Sequence, residues 1–199
     1  MSLPFGQCNV CWTILSVNPC QAFFTQHAKT DAKAIELLNT GKALEFEHLS
    51  ASEHSPGPVD DTEYVLRLVL NPIHVNPADG TLKPSLMSDV KSRGGSVQRL
   101  AHVSREAVIE GGRAHAERKN AAAGDNAQAR SVFGTVKLPV QRIREVIVTN
   151  NGRAFGVFDT AKKTDPSHAN IFLIAPEGQG ARSARIQLMI LANEGFQTT

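Results

Sequence analysis

Cys8-x-x-Cys11 is followed by Cys20 and His27. Thiolates two residues apart can clasp one Zn²⁺ across a tight turn, and a third thiolate with an imidazole completes a tetrahedron. Zinc is therefore one expected cofactor. The second half is not a paired knuckle, because eight residues separate Cys11 from Cys20 and six separate Cys20 from His27. The same cysteines also suit small buried apolar positions, since the run Trp12–Val17 beside them is apolar. An odd number of cysteines, with no basic secretory leader ahead of them, argues against a disulfide framework. No strand–CxxC–helix pattern marks a redox site.

Four further residues carry chemistry of a different kind. Arg67 interrupts the apolar run Leu66–Leu70, where an unpaired guanidinium is costly. It must face a carboxylate, solvent or a cleft. Ser96 follows Gly94-Gly95 and opens the next apolar segment. His74 sits in the turn-rich stretch "NPIHVNPADG", and His168 stands where a proline loop enters the apolar run "ANIFLI". A loop-to-strand junction presents side chains to clefts. Converging in one pocket, Arg67, His74, Ser96 and His168 would make an enzyme directed at a dinucleotide or a phosphoester. An Arg on one strand and a Ser on another resembles the pair with which ADP-ribosyl-transferring enzymes grip a nicotinamide dinucleotide. That resemblance covers a small part of the chain. The acid such enzymes carry on a later strand is not identifiable, Glu145 being the nearest candidate. His48-Leu-Ser50 and His102-Val-Ser104 resemble the paired His-x-Ser/Thr of two-histidine phosphoesterases. This implies one imidazole as general base and the other as general acid. Plain structural roles remain open for all of these. Asn71-Pro72, Asn76-Pro77, Asp79-Gly80 and Lys83-Pro84 are turn chemistry in which His74 is incidental.

Charge gives a competing expectation. Residues 1–63 hold three lysines against eight acids, a balance of −5, and the remainder holds 18 basic residues against 11 acids, a balance of +7. From Lys83 to Asn120 there are eight Lys or Arg and four acids. Lys83, Lys91, Arg93, Arg99, Arg105 and Arg113 could contact nucleic-acid phosphates or an acidic protein partner. Backbone amides at Gly94-Gly95 could approach a phosphate closely. No G-x-x-x-x-G-K-[ST] loop is present. The segment also lacks aromatic residues, so sequence-neutral phosphate contact is favoured over base stacking. A binding or accessory role through residues 83–119 is the leading expectation, and the enzyme is the alternative.

Several elements must position these groups. A short helix is expected in "TDAKAIELLNTG" and a strand in "ALEFEHL". The stretch "SASEHSPGPVDD" reads as a linker, where the charge balance also changes. This divides the chain into an appendage (1–50), a linker (51–63) and a main domain (64–199). "EYVLRLVL", "SVQRLAHVS" and "ANIFLIAP" read as strands, and Asn150-Asn151-Gly152 joins a hairpin over 144–158. Helices are expected after Ser104, a plausible N-cap, and over Ala181–Glu194, closed by Gly195. The expected fold is α+β, with a mainly antiparallel sheet packed against a few helices. Its expected core is Val65, Leu66, Leu68, Val69, Val146, Val148, Phe155, Val157, Ile171 and Leu173. No run approaches the roughly 18 apolar residues of a membrane span, so a cytoplasmic location is expected and no membrane partner.

Overall fold

Strand β1, Tyr64–Asn71, buries Val65, Leu66, Val69 and Leu70. Consecutive residues of a strand point to opposite faces, so β1 belongs to a sheet covered on both sides. The computed structural model describes residues 18–124, 128–148 and 152–199. Five more strands complete that sheet: β2 (Gly95–Arg99), β3 (Ser131–Pro139), β6 (Phe155–Asp159), β7 (His168–Leu173) and β8 (Phe196–Thr198). Their order is β6-β7-β2-β1-β3-β8, and every neighbouring pair is antiparallel. A separate two-stranded ladder joins β4 (Ile147–Val148) to β5 (Gly152–Arg153). Helices are α1 (Pro19–Gln26), α2 (Lys33–Asn39), α3 (Ala43–Glu47), α4 (Arg105–Ala121), α5 (Val140–Arg144) and α6 (Gln179–Glu194). The fold is α+β.

The register sorts side chains between the faces. Val65, Val69, Val97, Val136, Val157 and Ile171 share a cluster with Leu188 and Ala184 of α6, Ile143 of α5, and Leu86 and Val90 of two 3-10 turns. On the other face, α4 lies over β1 and β3, with Gly112 against the Leu68 side chain. Helices α1–α3 cover β6 and β7 there. Phe24 of α1 sets its ring 5.9 Å from Phe158 and 5.8 Å from Phe172. Phe23, Leu37 and Phe46 join the same cluster, so residues 18–49 pack directly on the sheet. The stretch 51–63 is pinned as well: Ala51 N donates to Asp159 O at 3.0 Å.

Two local expectations change. "ALEFEHL" is helix α3 and not a strand, because Ala43, Phe46 and Glu47 fall on one buried helical side. The expected hairpin is present as a short ladder, and its Asn150-Asn151 turn lies outside the described residues. Ile147 pairs Arg153 and Val148 pairs Gly152, while residues 155–159 leave it to pair β7. Strand β3 was not expected, yet Val136 and Leu138 are fully buried. Of the expected core residues, Leu68 and Val148 are only half-buried. Ser104 does cap α4, its Oγ accepting from Ala107 N at 3.2 Å. Among the described residues no helix is long and apolar enough to cross a membrane.

Candidate functional site

Between the two helical blocks, the second face of the sheet carries polar side chains. Pairing across β1, β2, β7 and β6 aligns Leu66 with Gln98, Gln98 with His168, Ser96 with Asn170, and Asn170 with Phe158. Directly paired residues point the same way, so Ser96, Gln98, His168 and Asn170 form a polar window between apolar neighbours. The turn from α1 to α2 roofs it, held by the bond from Ala34 N to Ser92 O at 2.7 Å. The resulting cleft of about 490 Å³ is lined by Lys29, Lys33, Arg93 and Lys162, by Asp31 and Asp89, and by Ser96, His168 and Asn170.

Ser96, His168 and Asn170 of its lining close a ring of contacts with Thr160, whose Oγ1 lies 2.9 Å from His168 Nδ1. His168 Nδ1 lies 3.1 Å from Thr160 O, and a carbonyl can only accept, so Nδ1 carries the proton. His168 Nε2 then accepts from Ser96 Oγ at 3.3 Å. Thr160 Oγ1 donates to Asn170 Oδ1 at 2.7 Å, and Asn170 Nδ2 donates to Ser96 Oγ at 3.5 Å. Burial lowers the His168 pKa to about 4, and Lys162 and Lys33 push in the same direction. The Lys33 ammonium is lowered as well, by burial first and by Lys162 second. At neutral pH the imidazole is an uncharged acceptor aimed at a hydroxyl, which is the arrangement of a nucleophile and its base.

The other expected groups do not join this site. Arg67 aligns with Val136, on the α6 face of the sheet. It reaches only the carbonyl of Ser96, at 2.8 Å, and the Asp89 carboxylate, at 2.7 Å. The side chains of Arg67 and Ser96 therefore point to opposite faces, and the pair resembling the ADP-ribosyl-transferring enzymes does not form. His74 lies outside the lining; its Nδ1 accepts from Leu70 N at 3.1 Å. Ser104 is spent as a helix cap, and Ser50 Oγ accepts from Ser55 at 2.7 Å. Of the basic set, Arg99 is a correction. It is 3% exposed and bound to the Glu63 carboxylate and to Gly57 O, at 2.6 Å, so it cannot reach a phosphate. Lys83 donates to Pro72 O at 3.0 Å, and Arg105 to Thr135 Oγ1 at 2.9 Å and Thr198 O at 2.8 Å. Lys91, Arg93 and Arg113 are exposed, but only Arg93 lines the cleft.

Cys8 and Cys11 lie outside the described residues. Cys20 is buried against Phe-rich neighbours, and burial pushes its thiol up to about 12. His27 stacks on the Phe23 ring with centroids 4.5 Å apart. Among the described residues no group of three metal-ligating side chains gathers. Sequence reading missed Lys29, Lys33 and Lys162 as site residues. Lys29 and Lys33 come from the α1–α2 turn and the start of α2, and Lys162 from the distant β6–β7 connection, so nothing in the sequence joins the two segments. No family model, curated protein or solved structure matches the chain.

Two outcomes follow from this geometry. Gly94 has φ +95°, and a Cβ there would stand 2.5 Å from the Phe172 ring. Gly94→Ala should cost about 1–3 kcal/mol from overpacking and strain, read from urea unfolding. The glycine serves packing on the cluster beneath α1, whatever else its amide does. The second concerns pH. His168 and His74 each have folded pKa values near 4 against 6.5 when free. Between those values the unfolded chain binds more protons, so their contribution is complete above about pH 6.5 and is lost as pH falls towards 4. Stability should rise over that window, and His168→Gln should flatten the rise. An unaltered pH profile in that variant would remove His168 as the cause.

Proposed function

We propose that the protein is an enzyme acting on a small phosphate ester held in the cleft between the α1–α2 turn and strands β2 and β7. One observation carries this reading: a hydrogen-bonded Ser96–His168 pair shares a cleft with Lys29, Lys33, Arg93 and Lys162. The lysines and Arg93 neutralise phosphoryl oxygens, which have no other partner in a half-buried site. Ser96 Oγ attacks phosphorus as His168 Nε2 takes its proton, and the leaving alkoxide departs with that proton from the imidazolium. Water then cleaves the phosphoserine, with His168 again the base, so the sum is ester plus water to alcohol plus phosphate. Asn170 Nδ2 fixes the lone-pair direction of Oγ. Bound phosphate offsets the charges of Lys33 and Lys162 that depress His168, so substrate strengthens its own base.

Thermal unfolding with inorganic phosphate and pyrophosphate at low salt tests binding, and turnover of p-nitrophenyl phosphate tests chemistry. The reading requires a rise in melting temperature that Lys33→Ala and Lys162→Ala diminish. It also requires turnover that Ser96→Ala abolishes. Absence of both ends it.

A second reading is contact with nucleic-acid phosphates or an acidic partner through residues 83–119. It is favoured by the exposed Lys91 and Arg93, close together in the chain, of which Arg93 lines the cleft. A steep fall of DNA or RNA affinity with salt, reduced by neutralising Lys91 and Arg93, supports it. Binding unaffected by that change excludes it.

A further inference from the structure

A second recess lies on the opposite face of the sheet, between α6 and the 3-10 turn Pro84–Met87. It has a volume of about 610 Å³. Its floor is apolar: Leu82 and Met87 below, Ile186 and Met189 from α6. Positions 182, 185, 186 and 189 follow helical spacing, so one stripe of α6 faces the recess. Ile186 is 58% exposed and presents its side chain to this recess. The rim is cationic, with Lys91, Arg182 and Arg185, and no carboxylate lines it. Of the three, Arg185 has an acidic partner, Glu177 at 3.2 Å, while neither Lys91 nor Arg182 has a side-chain partner among the described residues. An apolar floor with an unopposed positive rim complements a molecule with an apolar body and an anionic head. The volume falls within the roughly 300–1,000 Å³ of small-molecule sites.

We infer that this recess binds a small amphipathic anion, its chain on Leu82, Met87, Ile186 and Met189 and its carboxylate or phosphate head on Lys91 and Arg182. The site is separate from the Ser96 cleft, and the inference does not depend on the enzyme reading. Calorimetric titration of the full chain with decanoate below its micellar range tests it, with decanol as the uncharged probe. Decanoate should bind about tenfold or more tightly than decanol, the head group making charge-assisted hydrogen bonds. Arg182→Glu should remove that preference, and Ile186→Asp, at an exposed position that folding tolerates, should abolish binding of both. Lys33→Ala, in the other cleft, should leave decanoate affinity unchanged. Equal affinity for the two probes, or decanoate binding indifferent to both α6 variants, overturns the inference. Association with vesicles of anionic lipid but not with monomeric decanoate would assign the patch to a lipid surface and overturn it as well.

Discussion

Glu47→Ala should lower the unfolding free energy by about 3–5 kcal/mol, the largest stability loss expected from a single side chain here. Glu47 is 1% exposed and closes three attachments at once. Its carboxylate accepts from Arg144 Nε at 2.7 Å, from Arg153 Nη2 at 2.8 Å and from Val157 N at 2.7 Å. The links join α3 to α5, to β5 and to the edge strand β6. Alanine would leave the Val157 amide without an acceptor, which alone costs about 1–3 kcal/mol. It would also leave Arg153 without its carboxylate and Arg144 with only Asp61 and Val59 O. Burial opposes the charge of Arg144, and Asp61 and Glu47 outweigh it, so its pKa stays raised. Glu47→Gln should cost less, since an amide oxygen still accepts from Val157. Urea unfolding of both variants decides the matter. A loss under about 1 kcal/mol for alanine would place the network in the screened, surface class.

His168→Ala should lower turnover of a phosphate ester by about 10²–10⁴-fold, the range supplied by a positioned general base. Affinity for pyrophosphate should stay within a few-fold, because in the proposed mode the anion is held by Lys33, Lys162 and Arg93. Lys33→Ala should show the reverse split, with weaker binding and a smaller change in turnover. The pH profile separates a base from a structural role. In the free protein His168 titrates at about 4, so kcat/KM should be flat above about pH 5 and fall below it. In the complex, ligand charge offsets Lys162 and Lys33, so the limb in kcat should move to higher pH. A profile with no acidic limb, or loss of binding and turnover together in His168→Ala, would leave the histidine only holding Thr160 and Ser96.

Much of the sheet was legible from local pattern. The runs Tyr64–Asn71 and His168–Leu173 are apolar and β-rich, and turn residues bound both. Such runs announce themselves because side-chain burial in a strand follows neighbouring residues alone. Helix α3 was misread for a physical reason. "ALEFEHL" alternates like a strand, but its buried residues are Ala43, Phe46 and Glu47, at helical spacing. Only the distant Arg144 and Arg153 make burying Glu47 tolerable, and no window around residue 47 contains them. No local pattern announces strand β3. Its identity comes from eight paired positions with β1, a long-range fact.

The site divides the same way. Residue types alone singled out Ser96 and His168, a serine after two glycines and a histidine entering a strand. They also singled out Arg67 as a cation in need of a partner, and Asp89 is that partner. Tertiary structure decided which of these groups meet. Strand register sends Ser96, His168 and Asn170 to one face and Arg67 to the other, and a shift of one residue would reverse that sorting. Lys29 and Lys33 enter the cleft because α1 and α2 dock on the sheet, with Phe24 against Phe158 and Phe172, while Lys162 reaches it from the β6–β7 connection. Sequence determines what each residue can do, since chemistry is local. Which residues act together depends on contacts between segments far apart in the chain, and those exist only after packing.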